Sequence, residues 1–167
     1  MRYITAISLI AFLFAALLAP LHSSAQQLPN FYGAQIAIET ARKAATAAIA
    51  EGKKNDWAVA VAVVDPGGAL VYFERIDGTQ TGSTELAIEK ARTAVAYKRS
   101  TKLLEERVVA GRLQYLRQTG AVPIEGGLPL VVDGYIVGAL GVSGVRSEQD
   151  GVCAKAGVEA LAKSKGN

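Results

Sequence analysis

Small and apolar residues recur at three- and four-residue intervals from Tyr32 to Lys54, where Ile36, Ala37, Ala41, Ala44, Ala45, Ala48 and Ile49 fall on one stripe. That spacing predicts an amphipathic helix, closing near Gly52. The period then changes. Trp57 to Val64 is a valine-rich run, Ala69 to Arg75 is a second β-prone run, and Asp65-Pro66-Gly67-Gly68 stands between them. Proline fixes φ and glycine admits positive φ, so these two strands form a hairpin, with Asp65 organising its turn.

Leu86, Ala87, Ala91, Ala94 and Val95 restore the helical period from about Ser83 to Lys98, with Ser83 or Thr84 as the cap. Ser100 or Thr101 opens a shorter helix through Ala110. Gly111, Gly120 and Pro123 punctuate a stretch without a clear period. Leu128 to Val132 and Tyr135 to Val142 are strands around Asp133-Gly134, a pair suited to a type I′ turn. Ser147-Glu148-Gln149-Asp150 reads as a capping box with Asp150 in place of the usual Glu, starting a helix that runs to about Lys163. Helices alternating with two hairpins predict an α+β fold, with helices covering a mainly antiparallel sheet.

Ahead of these elements, Arg2, the apolar run from Ile4 to Leu18 and the small residues Ser23-Ser24-Ala25 have the order of a secretory signal peptide. Residues 1–25 are therefore expected to be removed, leaving a single domain over 26–167 in the periplasm or outside the cell, with no stable membrane anchor. Removal takes Arg2 and leaves 17 basic against 15 acidic residues. That balance, without a Lys/Arg run, argues against a nucleic-acid partner.

The sole histidine, His22, lies in that leader. A mature histidine-free chain rules out Ser-His-Asp hydrolysis and His-ligated metal or heme. The sole cysteine, Cys153, shares a helix face with Ala156, Gly157 and Ala160 and is expected to be a buried small residue, with an intermolecular disulfide as the alternative. The glycines from Gly138 to Gly144 lie in and after a strand, where they read as points of close backbone approach.

Among titratable groups, Lys90 falls beside Leu86, Ala94 and Tyr97 at the edge of an apolar stripe. It either snorkels to solvent or holds a carboxylate or acts as an acid/base group. Glu125, before Gly126-Gly127, either lines a loop pocket or is solvated. Glu85 and Glu89, one helical turn apart, read as a solvated face.

The segments Val61–Gly68, Glu89-Lys90-Ala91-Arg92-Thr93-Ala94, Gly126-Gly127-Leu128-Pro129-Leu130 and Gly138–Gly144, followed by Glu148-Gln149-Asp150, together resemble the GlcG/HbpS-like family over nearly the whole mature chain. That family is itself similar to the C-terminal domain of PduO-type proteins. The resemblance implies a profilin-like three-layer α-β-α fold with a five-stranded antiparallel sheet, assembly into homo-oligomers, and heme as a cofactor. It implies a threonine as heme ligand, for which Thr101 is the first candidate and Thr93 the second. A phenolate is the stronger oxygen ligand, so Tyr97 and Tyr115 stand beside them. Lys90, Arg92, Lys98 and Arg99 are candidate partners for the propionates. Two other readings stay open: a small-metabolite isomerase or lyase with Lys90 at its centre and Glu125 beside it, and an accessory protein of a periplasmic oxidoreductase.

Overall fold

The computed structural model describes residues 31–162. The expected signal peptide, His22 and the expected end of the last helix at Lys163 lie outside the described residues. Four helices, α1 (Ile38–Lys54), α2 (Ser83–Tyr97), α3 (Thr101–Val109) and α4 (Ser147–Ala162), accompany four strands, β1 (Ala60–Val64), β2 (Leu70–Arg75), β3 (Gly127–Val132) and β4 (Tyr135–Ser143). A 3-10 turn at Leu113–Arg117 occupies part of the stretch without a clear period.

The strands form one antiparallel sheet in the order β2-β1-β4-β3. Ala60 faces both Arg75 of β2 and Ser143 of β4, so β1 and β4 are central and β2 and β3 are edges. Both hairpins form as the turns predict. Asp65 Oδ1 accepts from the N–H groups of Gly67 and Ala69, and Asp133 and Gly134 both take positive φ, as a type I′ turn requires.

The expectation of five strands is corrected to four. The predicted helix start at Tyr32 is corrected with it, because residues 31–36 run alongside β4 instead of joining α1. Gly33 N–H donates to Ile136 C=O, Ile136 N–H to Phe31 C=O, and Ile36 N–H to Val137 C=O. Tyr32 thereby makes an isolated parallel bridge to Ile136, near the stretch of β4 that pairs with β1.

Alternation along the strands divides the core. Val61, Val63, Leu140 and Val142 pack with Ala44, Ala48 and Cys153 on the α1/α4 face. Ala60, Ala62, Val64 and Ala139 face α2. The second face is built from small residues, so helix and sheet backbones touch closely. A β-carbon at Gly141 would collide with the Ala87 carbonyl oxygen, and one at Gly127 with that of Lys90. This places Lys90 directly over the start of β3. Among the described residues no helix is long and apolar enough to cross a membrane.

α2 ends where Lys98 turns left-handed at φ 53°. Its start has no side-chain cap: Gly82 precedes it, and Ser83 instead points inward, its hydroxyl meeting that of Ser143 at 3.1 Å. Ser100 does cap α3, accepting from Leu103 N–H at 3.3 Å. At α4 the reciprocal capping bond comes from Gln149, whose Oε1 accepts from Arg146 N–H, one residue earlier than expected.

Candidate functional site

Lys90 is the bulkiest fully buried side chain among the described residues, at 1% exposure, so the expectation that it snorkels is corrected. Its ammonium donates to Asp150 Oδ2 at 2.7 Å and to Val142 C=O at 3.1 Å. Asp150 is itself 2% exposed. The two residues start on opposite faces of the sheet, on α2 and α4, and meet beyond the first residue of β3. Gly126 leaves the passage open: a β-carbon there would lie 3.0 Å from the Lys90 nitrogen and 3.0 Å from Asp150 Cβ. Burial pushes the Asp150 carboxyl up, against the Lys90 ammonium and the N–H groups of Val145 and Gly144, which favour the carboxylate.

Sealed in this way, Lys90 has no solvent-facing nitrogen for a propionate or a substrate. The structure does not bring it together with Glu125 as a catalytic pair, because Lys90 pairs with Asp150 and Glu125 with Lys102.

Both threonine candidates are also buried and engaged by backbone. Thr101 Oγ1 accepts from Gly127 N–H at 2.8 Å, and Thr93 Oγ1 accepts from Val122 N–H at 2.9 Å. Each hydroxyl closes the hydrogen bonding of a loop or strand end, which is what buried polar groups require. Neither lines either of the two clefts described below.

The remaining candidates are dispersed. Tyr97 donates to Thr119 C=O at 2.7 Å. Arg92 reaches Glu89 at 2.7 Å and Gly68 C=O on the exposed face of α2, and Arg99 turns back to Tyr97 C=O. Lys98 stands over the ring of Tyr32 at 4.3 Å. Tyr115 differs from Tyr97 in that its hydroxyl oxygen accepts from Arg107, with Arg112 also near its ring.

The concave surface lies one residue beyond Thr101. A cleft of about 510 Å³ opens along the β3 edge, between the start of α3 and the outer side of α4. Its apolar wall includes Leu128, Pro129, Val131, Val158 and Ala162, its rim carries Lys102 and Lys155, and Gly126, Gly127 and Gly151 bring backbone to the surface. A second cleft of about 370 Å³ adjoins it on the far side of Lys102 and Glu125, which line both. Lys102 Nζ meets Glu125 Oε2 at 2.8 Å. The Lys102 ammonium is held above its ordinary value chiefly by that hydrogen bond, against a smaller desolvation effect.

Glu125 does line this pocket, as one sequence reading expected. Lys102, Lys155 and the buried role of Asp150 were missed. The signals for the two lysines are weak: Lys102 is the first-turn residue after a capped start, and Lys155 sits one turn before Glu159 at the boundary of an apolar face.

The sequence profile of the family described as haem-degrading protein HbpS-like matches residues 36–159. GlcG of Escherichia coli strain K12 is 44% identical over 93 residues, covering 56% of this chain and 69% of GlcG. The crystal structure of a Streptomyces reticuli HbpS double mutant superposes with a TM-score of 0.71 at 31% identity, covering 86% of this chain and 97% of that one. The crystal structure of a PduOC–heme complex superposes with a TM-score of 0.69 at 32% identity, covering 75% and 94%.

Proposed function

Because the chain belongs to the HbpS-like family, we propose that it is an exported, homo-oligomeric protein that binds heme or a related tetrapyrrole reversibly in the cleft along the β3 edge. The observation that carries this reading is the chemistry of the cleft: an apolar wall flanked by two lysines, Lys102 and Lys155. A tetrapyrrole is a flat apolar body with carboxylates on one margin, so it needs apolar contact and nearby cations together. The heme complex of the related PduOC domain supports the same ligand class.

The donor set sets the strength of the complex. Side-chain oxygens lining the cleft come from Ser100, Glu125 and Glu159, with no imidazole or thiol among them, and since Lys102 holds Glu125 the donors left for iron are those of Ser100 and Glu159. When bound, heme would bring redox and oxygen-binding iron. The protein contributes an apolar wall that excludes water, lysines that hold carboxylates, and oxygen donors that bind ferric iron weakly. Weak ligation suits reversible loading.

The test is titration of the purified protein with ferric heme, followed at the Soret band, with light scattering to give the subunit number. Saturation at a fixed ratio per subunit, weakened at least severalfold by Lys102→Ala with Lys155→Ala, is the expected result. A non-saturating response overturns the reading. Export is tested separately by the N-terminal sequence of protein recovered from its host, which is expected to begin at Gln26.

A further inference from the structure

We propose that Lys102 is the residue that receives a ligand carboxylate in the cleft, and that Glu125 is its internal competitor. Binding then exchanges one carboxylate for another on the same ammonium. This rests on the reading of the cleft as a site for a carboxylate-bearing tetrapyrrole.

Three observations carry it. First, Lys102 and Glu125 line both clefts, so their 2.8 Å contact is the partition between spaces of about 510 and 370 Å³. A ligand carboxylate that draws Lys102 away from Glu125 opens one cavity into the other.

Second, the two partners differ in exposure. The Lys102 side chain is 52% exposed and Glu125 only 14%. Glu125 is seated on both sides: its N–H donates to Glu105 Oε2 at 2.7 Å, and its carboxyl lies where any side chain at position 151 would stand. A fixed carboxylate against a reachable ammonium is a preformed carboxylate-binding geometry with its own occupant.

Third, the other lysine on the rim lacks such an occupant. Lys155 meets Glu159 only at 3.7 Å, with both side chains more than half exposed. A pair of that kind is worth little in water. Competition is therefore concentrated at Lys102.

Ferric heme and its dimethyl ester, which lacks both carboxylates, are the probes. Glu125→Gln keeps the shape of the side chain and removes its charge, so it should tighten ferric heme binding about three- to fivefold, the range that a modest ion pair commands. Lys102→Met should weaken binding, and adding Glu125→Gln to it should then change nothing. With the dimethyl ester the gain from Glu125→Gln should vanish. Glu125→Ala serves as the second charge-removing variant, and thermal unfolding verifies that each variant is folded. Saturable binding by the unmodified protein with no gain in either Glu125 variant, or a gain that persists with the ester, overturns this proposal while the cleft reading stands. Absence of saturable heme binding by the unmodified protein overturns both.

Discussion

Lys90 and Asp150, sixty positions apart on helices that cover opposite faces of the sheet, meet at 2.7 Å in an environment closed to solvent. Burying two charges costs several kcal/mol each before their attraction is counted. That cost largely offsets their attraction, so the intact pair adds little to net stability.

Removing one member leaves the other buried and unpaired. Lys90→Met should lower the unfolding free energy by about 3–5 kcal/mol, read by urea denaturation. The deficit should shrink as pH falls, since burial already favours the protonated form of Asp150 and a neutral carboxyl needs no counter-ion. A deficit independent of pH would mean that packing, and not charge, is what Lys90 supplies.

Thr101 separates a structural role from a ligand role cleanly. Thr101→Val leaves Gly127 N–H without its acceptor and should cost about 1–3 kcal/mol, while Thr101→Ser keeps the hydroxyl and should lie close to the parent. Ferric heme affinity, corrected for any unfolded fraction, should be the same in both. A Soret shift specific to the valine variant would restore Thr101 as an iron ligand.

Cys153 gives an alkaline signature. Burial first, then the charges of Asp150 and Glu51, push its thiol up from 9.0 to about 11. The unfolded chain releases this proton near pH 9 while the folded chain keeps it, so stability is lost as pH rises from about 9 to 11. The loss is on the order of 2 kcal/mol. Cys153→Ala should flatten that limb of the pH–stability curve, and an aromatic disulfide reagent at pH 8 should label the thiol only after denaturation.

Gly141 tests the close seating of α2 on the sheet. Gly141→Ala would press a methyl group on the Ala87 carbonyl and on Ala91, and backbone cannot yield as a long side chain can. A loss of about 1–3 kcal/mol is expected in thermal unfolding. Gly134→Ala, where nothing lies within 4 Å but φ is 82°, should show only the smaller cost of the strained backbone.

What the sequence made legible was local. Asp65-Pro66-Gly67-Gly68 and Asp133-Gly134 carry their turns in their own chemistry, and the helices from Ser83 and Ser147 declare themselves by period. The extended conformation of residues 31–36 is hidden because their apolar spacing continues that of α1. The candidate site was least legible because its partners are remote. Lys90 looks like a stripe-edge lysine until Asp150 arrives through the passage left by Gly126, and Thr101 looks free until Gly127 meets it. Arg92 and Arg99 are neighbours in sequence, yet Arg92 turns to the Glu89 carboxylate and the Gly68 carbonyl while Arg99 turns back to Tyr97 C=O. The pocket beside Glu125 is legible without its lysines, and the carboxylate-holding alternative for Lys90 is met from inside the fold by Asp150.

The β3 edge carries one further consequence. Pro129 has no N–H to offer there, and the N–H of Gly127 is already taken by Thr101. Two of the donors an added strand would need are therefore missing, which blunts this border against strand addition. A border so blunted favours the neighbouring cleft as a place for a small molecule over a place for another strand.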